Sequence, residues 1–224
     1  MSERKQLAAY ISPMALFVAL LGLVSLLHKI DNSFWLRSAE YWVYPLQTIL
    51  CGATLIWFWR AYPLHWPARI GLGIAVAVFV FLVWITPQQF FGFVARTDGF
   101  KPDVFANQPS LYWSTIVFRF VRLVVVVPLM EEIFWRGFLL RYLIDEKFDR
   151  VPFGTFSWLS FSAVTIAFAL GHSPVDWPAA TVTGMLYNAV AYWTKSLSTC
   201  VITHAVTNLL LGFWIMQTKQ WGFW

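Results

Sequence analysis

The stretch "VVVVPLMEEIFWRGFLLRYLI", residues 124–144, decides how this chain is read. It is an almost uninterrupted apolar run with Glu131, Glu132 and Arg136 set into its middle. A charged side chain at the centre of a membrane helix costs about 2.5–3.5 kcal/mol on insertion scales. Two adjacent carboxylates and a guanidinium in such a run therefore need a structural or chemical reason. That reason depends first on whether the surroundings are membrane.

Of the 224 residues, 59% are hydrophobic and 12% charged, and the mean hydropathy is +0.62. A water-soluble domain averages about 45–50% apolar and about 25% charged residues. Half the usual charge leaves too little polar surface to coat a soluble globule, so the chain reads as an all-α integral membrane protein. Apolar runs lie at 7–27, 42–59, 70–86, 112–130 continuing into 131–144, 157–171, 177–194 and 198–216. About 20 such residues span a bilayer as a helix. The pattern predicts a bundle of seven to eight transmembrane helices in a single membrane domain, 1–224. Taken as one helix, 112–144 would run ~50 Å at ~1.5 Å per residue. The reading is that it kinks or breaks, with Pro128 as the place.

Arg4 and Lys5 precede an apolar stretch without a small-residue cleavage pattern, so the first segment reads as a retained helix. Assigning alternate connections to opposite sides places Arg4, Lys5, Arg60, Arg69, Arg141, Lys147, Arg150 and Lys195 together. Lys29, Arg37, Arg96, Lys101 and Lys219 fall on the other side. The bias predicts a cytoplasmic N-terminus in a multi-pass protein, with a prokaryotic plasma membrane as the expected location. The formal charge of +5 calls for no nucleic acid; the expected partner is the lipid bilayer. Trp35, Trp42, Trp66, Trp84, Trp113, Trp158, Trp177 and Trp193 lie near predicted helix ends and read as an interfacial belt. Cys51 and Cys200 lie inside apolar segments and read as small buried hydrophobes. The Gly-, Pro- and Phe-rich connection 86–110 reads either as a re-entrant or interfacial lid or as a plain loop.

Helical spacing sorts the polar residues inside the apolar runs. Glu132 and Arg136 are four apart with the acid first, the favourable order for a same-face pair. Glu131 is turned ~100° from Glu132, and is the less neutralised carboxylate, free to act as a general base. His204 and Asn208 share a face and offer two donors at one spot, as an oxyanion requires. His172, closing "FALGH", comes from another helix and is available to hold a water against Glu131. Together these outline an amide hydrolase with an activated water as nucleophile. Each element also has a plainer reading. A Glu–Arg pair can be purely structural, a lone histidine can be packing, and Asn208 can be interhelical glue. Arg119 and Arg122, three apart, read as snorkelling or pairing with lipid phosphate.

Taken in order, "EEIFWR" at 131–136, "FALGH" at 168–172 and "HAVTN" at 204–208 fit E-E-x-x-x-R, F-x-x-x-H and H-x-x-x-N. That trio resembles the CPBP family of intramembrane proteases, which includes the type II CAAX prenyl endopeptidases, over a motif-bearing core at 112–216. The resemblance implies a bundle of about eight helices around a cavity open to one leaflet, and a glutamate-dependent protease of plasma-membrane type. Under it, Glu131 and His172 activate the water, His204 and Asn208 stabilise the oxyanion, Glu132 and Arg136 support the site, and Phe168 packs. The implied substrate is a membrane-associated peptide or lipid-modified protein, prenylated CAAX proteins included, and no cofactor is expected. Three alternatives stay open. Glu131, His172 and His204 fit a zinc site of the His2Glu kind. A scaffold or bacteriocin-immunity protein would keep the motif without catalysis. A proton-coupled transporter would use the same ionisable groups, although no internal repeat is visible.

Overall fold

The computed structural model describes residues 3–30 and 33–224. Among the described residues the chain is helical without strands. The helices are α1 (Glu3–Ile30), α2 (Phe34–Arg37), α3 (Glu40–Trp57), α4 (Ile70–Phe90), α5 (Pro109–Tyr142), α6 (Trp158–Leu170), α7 (Trp177–Thr194) and α8 (Leu197–Thr218). By length and composition, α1, α4, α5 and α8 are long and apolar enough to cross a membrane. Helix α6 is apolar but has 13 residues, ~20 Å of helix at ~1.5 Å per residue. Helices α3 and α7 carry polar residues, and Gln47, Thr48, Thr183 and Asn188 among them are buried inside the bundle.

Successive helices run up and down, as the contacts at their ends record. At one end Ser198 Oγ donates to His65 O at 2.5 Å and Arg69 Nη1 to Trp193 O at 2.7 Å. At the other, Tyr41 Oη donates to Lys101 O at 2.9 Å and Gly222 N to Arg96 O at 2.9 Å. Helix α4 packs along α8 and α7, α6 along α7, and α1 along α3. With lipid tails as apolar as leucine, such packing depends on close approach at small residues. At Gly73 a Cβ would stand 2.6 Å from Thr203 Oγ1 and 2.9 Å from Thr199 Cγ2, so only glycine lets α4 reach α8. Buried side chains tie α1 down: Gln47 Nε2 donates to Phe17 O at 2.7 Å, and Tyr62 Oη to Ala9 O at 2.8 Å.

Helix α5 departs from expectation at Pro128. The span stays helical through all 34 residues and adapts by widening into two π-helical stretches, Arg122–Val126 and Ile133–Leu139. Val127 N–H reaches back to Arg122 O, and Leu140 N–H to Trp135 O. Pro128 has no N–H to offer and its ring crowds the preceding turn. A wider turn just ahead of it relieves that crowding without ending the helix.

The connection after α4 is anchored at a few points, although most of its residues are exposed. One 3-10 turn, Pro102–Phe105, interrupts it, and buried Phe100 stacks near Tyr41 (4.8 Å between ring centres) and Tyr44 (5.8 Å). Arg96 pairs with Asp176, and Arg96 N donates to Gln220 Oε1 at 3.3 Å. The segment thus lies across one end of the bundle beside the C-terminal turn Trp221–Phe223. Most of the tryptophans named above stand exposed, from Trp42 at 41% to Trp66 at 92%. Trp84 is the exception: it is half-buried and turned inward, donating through Nε1 to Thr183 Oγ1 at 2.9 Å. Cys51 and Cys200 are free and buried.

Candidate active site

The two π stretches of α5 bracket Glu131 and Glu132, so the adjacent carboxylates sit on the one short α-helical piece between them, Val127–Glu132. Their surroundings differ completely. Glu132 is fully buried, with Oε1 accepting from Arg136 Nη1 at 3.1 Å and facing His204 Nδ1 at 2.9 Å. Arg136, equally buried, extends the network by donating Nε to Asn188 Oδ1 at 3.0 Å and Nη2 to Gly184 O at 3.4 Å. Asn188 in turn donates Nδ2 to Thr165 Oγ1 at 3.1 Å and to Phe161 O at 3.3 Å. One carboxylate thereby locks α5 to α6, α7 and α8. The guanidinium also lies over the rings of Phe168 (5.0 Å) and Tyr187 (5.4 Å).

Glu131 makes no hydrogen bond or ion pair with any described residue, and it lines a cavity of about 340 Å³. His172, His204 and Asn208 line the same cavity, as do Trp84, Arg119 and Arg122. Each of the three partners is held by a bond that leaves one polar edge free. His172 sits just beyond the end of α6, its Nδ1 2.8 Å from Phe168 O. A carbonyl only accepts, so Nδ1 carries the proton and Nε2 is left as an acceptor. His204 has its Nδ1 on the Glu132 carboxylate, so Nε2 is again the edge that remains. Its ring packs on Tyr187 at 5.2 Å between centres. Asn208 donates Nδ2 to Leu123 O at 2.8 Å, a carbonyl within the first π stretch, and keeps a second N–H.

All four candidate catalytic residues thus converge from three separate parts of the chain, whereas Glu132 and Arg136 stand behind them. His204 and Asn208 share the cavity but not a partner, since each is fixed by a different neighbour. Phe168 is 2% exposed and fills the space between Arg136 and His172. Among the described residues no three of His, Cys, Asp and Glu come together as a metal-holding group. Glu131, His172 and His204 therefore do not assemble a ready zinc site.

Five residues at or behind the cavity were missed by the sequence reading or given another role by it. Asn188 and Tyr187 lie in "LYNAV", where only Asn188 is polar enough to attract notice. Trp84 reads as one more belt tryptophan. Arg119 and Arg122 read as snorkelling side chains, yet both are only 5% exposed and turned inward.

No curated protein and no solved structure matches the chain. A family model does match, over residues 113–210, the stretch that holds both glutamates, both cavity histidines, Asn208 and the Arg136–Asn188 support. Over that stretch the chain is similar to the family described as Rce1-like, type II CAAX prenyl endopeptidase Rce1-like.

Proposed function

We propose that the protein is an intramembrane endopeptidase that uses a water activated by Glu131 to cut a peptide bond of a membrane-associated protein, prenylated CAAX proteins being one candidate class. The observation that carries this reading is the division of labour between two neighbouring carboxylates. Glu131 faces the cavity without a partner, while Glu132 is consumed by Arg136 and His204.

In this mechanism a water lies between Glu131 and the free Nε2 of His172. Glu131 takes a proton from it as the resulting hydroxide adds to the scissile carbonyl. Charge builds on the carbonyl oxygen, where His204 Nε2–H and the second N–H of Asn208 donate. Glu132 at its Nδ1 fixes the His204 ring so that the Nε2 edge faces the cavity. Collapse breaks the C–N bond, and Glu131 returns its proton to the departing amine. Arg136 holds Glu132 in place, so it acts through His204 rather than on substrate. The low-dielectric surroundings strengthen each of these interactions. A prokaryotic plasma membrane with the N-terminus in the cytoplasm completes the proposal, in line with the side-to-side bias of lysine and arginine.

The test compares new protein termini in membranes expressing wild type, Glu131→Gln and Glu132→Gln. Cleavage products present in wild type and absent in Glu131→Gln, with folded protein in both, support proteolysis and identify the substrate. Identical termini in all three would move the assignment to a non-catalytic scaffold or immunity protein.

A further inference from the structure

Arg119 and Arg122 are the charges the proposed chemistry leaves unused. Neither makes a hydrogen bond or ion pair with any described residue, and Nε and Nη1 of Arg119 and Nε of Arg122 are buried without a partner. Aromatic faces surround them. Arg122 Cζ lies 4.1 Å from the Tyr44 ring centre and 5.0 Å from that of Phe17; Arg119 Cζ lies 4.9 Å from Phe100 and 5.8 Å from Trp224. Rings attract a cation over their faces but cannot satisfy in-plane N–H donors. The two guanidiniums also repel each other. The nearby acid Asp176 is taken by Arg96. Buried cations persist when something pairs with them, and here both open onto the cavity that holds Glu131.

The helix geometry relates the two arginines to the catalytic carboxylate. On a regular helix, twelve residues would leave Arg119 ~120° away from Glu131. The π stretch between them adds about one residue to a turn, which brings the offset down to ~20°. Arg122 and Arg119 then stand ~13 and ~18 Å along the axis from Glu131. An extended peptide covers that distance in about four to five residues. The planar fork of a guanidinium suits a carboxylate, which it grips with two parallel bonds.

We propose that Arg119 and Arg122 form a receptor for one carboxylate of the bound peptide, about four to five residues from the bond presented to Glu131. The carboxylate comes either from the chain terminus or from an aspartate or glutamate side chain. That the occupant is a peptide rests on the protease reading above.

The experiment uses the full chain in phosphatidylcholine nanodiscs and reads binding of dansylated peptides by fluorescence polarisation. Three probes of sequence Leu-Val-Leu-Ala-Leu are compared: the free acid, the C-terminal amide, and an amide ending in Asp instead of Leu. The expected result is that the acid binds wild type at least tenfold more tightly than the plain amide. The advantage disappears in Arg119→Gln and Arg122→Gln. An Asp amide that binds like the acid shows that a side-chain carboxylate serves as well as the terminus; one that binds like the plain amide assigns the terminus; one that alone binds tightly assigns the side chain. Equal binding of acid, plain amide and Asp amide to wild type overturns the proposal, and needs no variant to fold. So does an acid advantage that persists in both Gln variants. Heat protection by phosphatidylglycerol that is lost in the Gln variants, without any acid advantage, overturns it in favour of a lipid phosphate. Because no cleavage is read, failure here is separate from failure of the protease assignment, which the termini experiment decides.

Discussion

Replacing Arg136 by methionine should be the most damaging single change in the bundle. The guanidinium and the Glu132 carboxylate are both wholly inaccessible and stand 3.1 Å apart. Methionine fills much of the same space but leaves Glu132 as a buried charge held by His204 alone, at 2.9 Å. Removing one member of a buried pair costs about 3–5 kcal/mol. Asn188 Oδ1 and Gly184 O lose their donor as well. For a chain of this size, each kcal/mol shifts the midpoint by about 2–4 °C, which gives a loss of about 6–20 °C. The assay is reversible unfolding of the detergent-solubilised protein, followed by circular dichroism. Adding Glu132→Gln to Arg136→Met removes the stranded charge, so the double variant should recover about 2 kcal/mol relative to Arg136→Met. The argument fails if Arg136→Met costs less than about 1 kcal/mol, or if the two substitutions simply add, because independent sites add and a charge pair does not.

Glu131→Gln should leave stability within about 0.5 kcal/mol of wild type, since the side chain makes no bond to be lost, while abolishing cleavage in the termini comparison. Asn208→Ala should lower the cleavage rate by about 10²–10³, measured on the substrate that experiment identifies. Gly73→Ala forces α4 away from Thr203 and Thr199 of α8; overpacking of this kind costs about 1–3 kcal/mol, read from the same unfolding curves. Arg96→Ala removes the pair with Asp176 and should speed limited proteolysis within residues 91–108 while the helices stay resistant.

Composition and spacing were enough for a good deal of this. A chain that is 59% hydrophobic and 12% charged has few alternatives to membrane helices, because backbone polar groups in lipid must be satisfied within each segment. The four-residue step from Glu132 to Arg136 is a property of any α-helical turn, so that pair was legible before any coordinates. The same holds for His204 and Asn208 facing one way on α8. Local rules reach no further than a turn or two, however. Asn188 carries Arg136 from 52 residues away, and nothing in "LYNAV" announces which cation it serves. Trp84 has the composition and position of an interfacial tryptophan, and only the packing of α4 against α7 turns it towards Thr183 and the cavity.

The region around Pro128 shows the boundary between the two kinds of information most sharply. The sequence by itself determined that a proline would disturb a long apolar helix next to two carboxylates, since the missing N–H is a covalent fact. The way the disturbance is absorbed depended on neighbours. With α1, α3 and α8 packed around it, α5 stays continuous and widens twice instead of breaking. That widening re-phases everything upstream, so Arg119 and Arg122, which an ideal 100° step sends to other faces, open onto the same cavity as Glu131. Which residues can take part in chemistry was written in the chain; which of them meet was decided by how the helices pack, because a rotation of one residue in a helix moves a side chain from lipid to the site.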